Sequence, residues 1–169
     1  MKYTLSVLVE NRAGVLSKVS GLFSRRGFNI DSLAVGVTED PTVSRMTIVV
    51  DGDDHTVEQV EKQLNKLIPV IKVKALEAGS CIPRVLSMFK VNAGAGQRAD
   101  IMRITELMQA RIVDVTRTTM TIEFTDSPER TETLESLLRP YGIREAVRTG
   151  VIAVEKGGGQ LLGGKQKPQ

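Results

Sequence analysis

The chain has 169 residues, of which 41% are apolar and 25% charged, and a net charge of +3. Those fractions describe an ordinary globular protein and exclude a low-complexity or collagen-like chain; the length suits one ordinary domain or two small ones. Basic and acidic residues are interspersed, 10 against 9 over residues 1–76 and 13 against 11 over 77–169, so no basic block marks a nucleic-acid face and no acidic tail is present.

Tyr3, Leu5, Val7 and Val9 alternate with more polar residues, the period of a half-buried strand. Glu10 to Gly14 breaks that alternation. From Val15 the period changes, and Val15, Leu16, Val19, Leu22 and Phe23 fall on one helical stripe. Arg25 and Arg26 stand in the last turn, where cations complement the helix dipole, and Gly27 is placed to form a left-handed C-terminal cap. Phe28–Val37 and Arg45–Val50 read as two strands of a hairpin turned at Glu39-Asp40-Pro41. Val57, Val60, Leu64 and Leu67 repeat at helical spacing, Pro69 ends that helix, and Val70 to Ala75 supplies a fourth strand. The order is β-α-β-β-α-β, the ferredoxin-like pattern.

The second half repeats the order without repeating the residues. Val85–Ala93 is a strand, and Ile101, Ile104, Leu107 and Met108 form a helical stripe. Arg111–Val115 and Met120–Phe124 are short strands. Ser127-Pro128-Glu129 starts a helix that faces Leu134, Leu137 and Leu138 to the core, and Tyr141–Val147 is a final strand, with a short extra one at Val151–Val154. The expected architecture is α+β, two ferredoxin-like βαββαβ domains in tandem. The first spans 1–76, a linker 77–83, the second 84–156, and a disordered tail 157–169. Two such small domains bury modest cores, so association with another copy is expected, and the second strand of the first domain lies at an edge that a copy can extend.

The strand-to-helix turn Glu10-Asn11-Arg12-Ala13-Gly14 carries the most chemistry. A helix N-terminus presents unpaired N–H groups and a partial positive charge, which suits a carboxylate. Gly14 lets the backbone approach a ligand, and Asn11 offers donors and an acceptor. The same residues also fit a plain helix cap and turn, and Asn29 fits either a ligand contact or a turn. Phosphate-loop and dinucleotide fingerprints are absent from the sequence, and Gly94-Ala95-Gly96 reads as a hinge. His55 is the only histidine and Cys81 the only cysteine. They cannot form a usual zinc site or an oriented catalytic dyad, Asp51, Asp53 and Asp54 lack calcium-loop spacing, and no metal or other cofactor is expected. A lone Cys81, no signal-peptide pattern and no apolar run near ~20 residues point to a cytoplasmic protein without a membrane span.

Residues 5–33, from Leu5-Ser6-Val7 through Phe28-Asn29-Ile30-Asp31-Ser32-Leu33, together with Ser44–Ile48 and Glu61–Leu67, resemble the small regulatory subunits of acetolactate synthase (acetohydroxyacid synthase). Ile112–Thr116 and Ala146–Val151 extend the resemblance into the second half, while Cys81–Phe89 departs from the family's more charged opening to that strand. The resemblance implies an N-terminal ACT domain that pairs edge to edge into a homodimer and binds valine or a related branched-chain amino acid between protomers. By position, the implied effector residues are Asn11, Ala13, Gly14, Val15 and Leu16 in the turn and Asn29 and Ile30 on the second strand. It further implies no catalytic residues in this chain, a C-terminal domain that associates and helps engage the catalytic large subunit, and activation with feedback inhibition of that subunit, which holds the thiamine diphosphate, flavin and magnesium.

Two other readings fit a ferredoxin-like chain. One is an ACT-domain amino-acid sensor of another system, which would lack the second-half matches. The other is an RNA-binding module, which would stack bases on aromatic residues of its central strands; here those strands carry Val, Ile and Leu.

Overall fold

The computed structural model describes residues 1–161 and divides them into two compact units, 1–82 with the segment from Gly150 onward, and 83–149. In the first unit the chain runs β1 (Lys2–Glu10), α1 (Val15–Arg26), β2 (Ile30–Val37), β3 (Val43–Asp51), α2 (Asp54–Asn65), β4 (Val70–Leu76). The strands form one antiparallel sheet in the order β2-β3-β1-β4. The tandem βαββαβ architecture expected from the sequence is the one observed.

Alternation decides which face each strand buries. Leu5, Val7 and Val9 of β1 and Met46, Ile48 and Val50 of β3 point to one side, where Val15, Val19, Leu22 and Phe23 of α1 and Val57, Val60 and Leu64 of α2 close over them. Leu5 and Val60 are fully buried, and removing a side chain of that size from such a site costs about 2–5 kcal/mol. Gly27 ends α1 in the left-handed conformation (φ 69°), and its N–H bonds back into the last turn. Asp53 caps α2, its carboxylate accepting the Thr56 N–H at 2.8 Å.

The opposite face of this sheet is covered as well. Ser6, Leu8, Thr47 and Val49 on that side are all buried. Their cover is the C-terminal segment from Gly150, which crosses the face. The Val151 N–H donates to Ser32 Oγ at 2.8 Å, and Arg45 Nη2 donates to the Ala153 carbonyl at 2.8 Å. Lys74 pairs with Glu155 at 2.6 Å, Ala153 packs on Leu76 and Cys81, and Leu161 packs on Leu8 and Val43. The compact units therefore differ from the division read off the sequence: residues 150–156 sit with the first unit rather than the second. Within the segment expected as a tail, Leu161 meets the apolar strip of Leu8 and Val43; residues 162–169 lie outside the described residues. The expected linker is shortened to a turn at 77–80, closed by Ser80 N–H to the Glu77 carbonyl at 3.1 Å, and 81–83 already belong to the next strand, with Cys81 buried.

The second unit continues as β5 (Cys81–Asn92), α3 (Arg98–Met108), β6 (Arg111–Val115), β7 (Thr119–Asp126), α4 (Pro128–Leu138), a 3-10 turn (Arg139–Tyr141) and β8 (Ile143–Arg148). The sheet order is β6-β7-β5-β8, and β9 (Ile152–Glu155) also pairs with β5. Phe89, Val91, Ile122 and Phe124 pack beneath Ile101, Met108, Leu134 and Leu138. Leu107 and Leu137 do not join them; Leu107 is 76% exposed. The buried stripe of α3 is Ile101, Thr105 and Met108, and Leu107 lies one residue off it. Thr105 is accommodated because its hydroxyl donates to the Ile101 carbonyl at 2.8 Å.

Candidate functional site

The turn after β1 is held by its neighbour hairpin. The Asn11 N–H donates to the Thr42 carbonyl at 2.8 Å, and Asn11 Nδ2 donates to the Pro41 carbonyl at 2.8 Å. Asp40 stiffens the hairpin by accepting from the Thr42 N–H and hydroxyl at 2.9 and 2.7 Å. Those hydrogen bonds, the hydroxyl's first, hold the Asp40 carboxyl below its ordinary pKa against a small opposing effect of burial. Asn11 is therefore not the helix cap. The residue at the cap is Gly14, in the left-handed conformation at φ 84°, with no side chain to offer. A Cβ there would meet nothing within 4 Å, so the backbone conformation, not crowding, selects glycine. No acidic residue stands in the first turn of α1. Its N-terminal N–H groups thus face the turn without a carboxylate of the chain's own.

Ala13 is exposed and Leu16 is 45% exposed, an apolar pair beside the turn. Val15 is different: its side chain is in the core at 4% exposure, so only its backbone is available to a ligand. Asn29 lies just before β2, exposed, with Nδ2 donating to Asp31 Oδ1 at 2.9 Å, and Ile30 is half-buried.

The structure does not bring these two groups together within one copy. Ile30 is level with Val50 and hence with Tyr3 at the start of β1, whereas the turn lies past Glu10 at its end. Seven residues of strand separate the two levels, about 23 Å at ~3.3 Å per residue. The two edges of the sheet also differ. β2 presents Val35 and Val37, 46% and 59% exposed, with no charged side chain between them. β4 carries Lys72 and Lys74 at its edge, and the Ala75 N–H is taken by Glu61 Oε1 at 2.8 Å.

Sequence reasoning missed the bracing of Asn11 by Pro41 and Thr42. The turn at Asp40-Pro41 was legible, but nothing in its residues says which loop it supports. His55 is exposed in the first turn of α2 and Cys81 is buried and free. Among the described residues no group of His, Cys, Asp or Glu could hold a metal ion, and no helix is long and apolar enough to cross a membrane.

A βαββαβ sheet with an open β2 edge and a glycine turn at an uncapped helix N-terminus defines an ACT domain, here succeeded by a second ferredoxin-like domain. Residues 5–72 match the family described as the AHAS small subunit-like ACT domain, and residues 84–157 match the small subunit of acetolactate synthase. The chain is 52% identical over 155 residues to the acetolactate synthase small subunit of Mycolicibacterium smegmatis, covering 92% of this chain and 91% of that protein. It is 51% identical over 157 residues to a probable acetolactate synthase small subunit of Archaeoglobus fulgidus, covering 93% and 98%. The crystal structure of the acetolactate synthase small subunit from Thermotoga maritima superposes with a TM-score of 0.86 at 37% identity, over 93% of this chain and 98% of that one. The chain belongs to the acetolactate synthase small-subunit family, whose members are non-catalytic.

Proposed function

We propose that this chain is the regulatory partner of an acetolactate synthase catalytic subunit, which it activates, and that it confers feedback inhibition by a branched-chain amino acid, valine foremost. The chain acts in the cytoplasm as a homodimer. The observation that carries this reading is the separation of the Asn11–Gly14 turn from Asn29 and Ile30 along one sheet whose unblunted edge is β2. A two-fold pairing of β2 edges runs the strands antiparallel, which sets the turn of one copy beside Asn29 of the other. The ligand carboxylate then meets the N–H groups of Gly14, Val15 and Leu16, the Asn11 and Asn29 amides take its polar groups, and Ala13, Leu16 and Ile30 face an aliphatic side chain. The sheet face that a base-stacking RNA module would use bears Ser6, Leu8 and Val49 in the first unit rather than aromatics, and the segment from Gly150 crosses it, which argues against a base-stacking role for that unit.

The test is calorimetric titration of L-valine into the purified chain, with mass measured by light scattering. One valine site per chain in a dimer is expected, and Asn29→Ala should weaken binding about fivefold, the loss of a single net hydrogen bond. A monomer that binds valine as tightly as the dimer would refute the shared site.

A further inference from the structure

We propose that the segment after β8, through Gly150 and Val151, is the positioning element of the effector site: it fixes the start of β2, and with it Asn29 and Ile30, from the face of the sheet. The inference rests on the effector reading above and names residues outside the effector contacts.

β2 is an edge strand, so among the described residues only β3 pairs with it. Its pairing with β3 is also irregular between Ile30 and Ser32, where the register shifts. Such an irregularity re-aims the side chains beside it; Asp31 sits at the shift with Ile30 next to it, and Asn29 is tied to it by donating Nδ2 to Asp31 Oδ1 at 2.9 Å. A strand held on one side with a register shift at its first turn needs a further restraint to keep one orientation. Ser32 supplies it, because its Oγ accepts the Val151 N–H at 2.8 Å immediately past the shift. Gly150 adds a second restraint by backbone contact. A Cβ built on Gly150 would stand 3.0 Å from the Ala34 nitrogen and overlap the Leu33 carbonyl group. Its φ is not in the left-handed region, so the glycine is required there by space alone. The segment is in turn anchored away from β2. Arg45 Nη2 donates to the Ala153 carbonyl, Lys74 pairs with Glu155, and the Lys156 N–H donates to the Ser80 carbonyl at 2.9 Å. One end of the strap is tied to β3, β4 and the 77–80 turn, and the other end holds β2.

The experiment titrates L-valine into four forms of the full chain: wild type, Ser32→Ala, Ser32→Thr and Lys74→Ala. Ser32→Ala leaves the Val151 N–H without its acceptor and should raise the valine dissociation constant about five- to tenfold. Ser32→Thr retains the hydroxyl and should restore binding to within about twofold. Lys74→Ala breaks a strap contact far from Asn29 and should leave the dissociation constant within about twofold, even where it lowers the thermal midpoint as much as Ser32→Ala does. Equal weakening in Ser32→Ala and Lys74→Ala overturns the proposal, because the strap would then act through general stability alone; wild-type affinity in Ser32→Ala also overturns it. Hydrogen exchange of the wild-type Val151 amide is the independent reading. Valine should slow it, and an exchange rate indifferent to valine counts against positioning whatever the variants do. A flat titration of the wild type is the separate outcome in which the effector reading itself fails and takes this inference with it.

Discussion

In both units the residue just past the first strand donates its backbone N–H to the neighbouring hairpin, Asn11 to the Thr42 carbonyl and Ala93 to the Thr118 carbonyl, each at 2.8 Å. Beyond that shared bond the two units diverge. In the first unit the helix opens on Gly14 at positive φ with no acid in its first turn. In the second, α3 opens on Gln97 in the right-handed region, Asp100 stands in the first turn, and Arg98 donates to the Thr116 carbonyl. Asp100 complements the α3 dipole and pairs with Arg103 at 3.6 Å, so this helix start carries an acid of the chain's own, where α1 has none. One topology supplies the same turn twice, and the two copies differ in the charges of their first three helical residues: none in α1, Arg98 and Asp100 in α3.

The largest effect should come from supplying the first turn with the acid it lacks. Gly14→Asp places a carboxylate where the proposed site would receive the ligand carboxylate. Two unit charges ~4 Å apart repel by about 4 kcal/mol at an effective dielectric of ~20, which is close to a thousandfold in affinity. Gly14→Asn is the control: it shares the cost of a side chain at positive φ, which Asn and Asp bear better than other residues, and adds no charge. Gly96→Asp in the second unit, where a Cβ would meet open space, should change valine affinity less than about twofold. Calorimetry on the three variants checks the contrast. Valine binding by a folded Gly14→Asp chain at wild-type strength would return Asn11–Gly14 to the role of a simple turn.

The two sheet edges give a second, smaller contrast. Val35 on β2 and Ile71 on β4 are exposed to similar degrees, 46% and 50%. Lysine at an edge opposes pairing with another strand. Val35→Lys puts two like charges into a β2–β2 seam and should raise the dimer dissociation constant at least about tenfold. Ile71→Lys adds a third lysine to an edge that already carries Lys72 and Lys74 and should leave it unchanged. Sedimentation equilibrium decides, and equal shifts in both variants would remove β2 as the seam.

Periodicity made most of this fold legible, because strand and helix stripes such as Leu5-Val7-Val9 and Val57-Val60-Leu64 record which face is buried. Gly27 and Ser127 were legible as punctuation for the same local reason. The strap was not. Apart from the Lys74–Glu155 pair, its attachments are the Val151 and Lys156 N–H groups, the Ala153 carbonyl and the side-chainless surface of Gly150, and backbone groups leave no mark in a sequence. Val151–Val154 read as a short strand with nothing to place it on the first sheet, and Leu161-Leu162 among glycines read as a tail. The site was half legible: Gly14 and Asn11 marked the turn, but whether Asn11 capped the helix depended on where the 40–42 hairpin comes to rest. Leu137 and Leu107 were misplaced for a different reason, since an adjacent apolar residue, Leu138 or Met108, leaves the helical phase ambiguous by one residue.

The smallest effect tests the stability of the second unit rather than its site. Glu135 on α4 accepts from Arg148 Nη2 of β8 at 2.7 Å and from Arg139 Nη2 at 3.2 Å, tying the last helix to the last strand. The hydrogen bond from Arg148 is the chief cause holding its carboxyl below the ordinary glutamate pKa; burial opposes it, and Arg139 adds to the lowering. A carboxyl with a lowered folded pKa contributes stability that is fully present above its unfolded value, about 4.3, and is lost as the pH falls through the folded value. Both arginines are substantially exposed, 43% and 73% by side chain, so solvent screening limits the contribution to about 0.5–1 kcal/mol. Glu135→Gln keeps the shape and removes the charge. At pH 7 it should lower the melting midpoint of the unit by about 2–8 °C, taking roughly 4–8 °C per kcal/mol for a domain of this size. The gap between the variant and the wild type should narrow as the pH drops below about 4.5 and should not widen there. Melting curves recorded by circular dichroism at pH 7, 5 and 3 read this directly, and a gap that stays constant across the three would mean that the Arg148 pairing contributes through packing and not through charge.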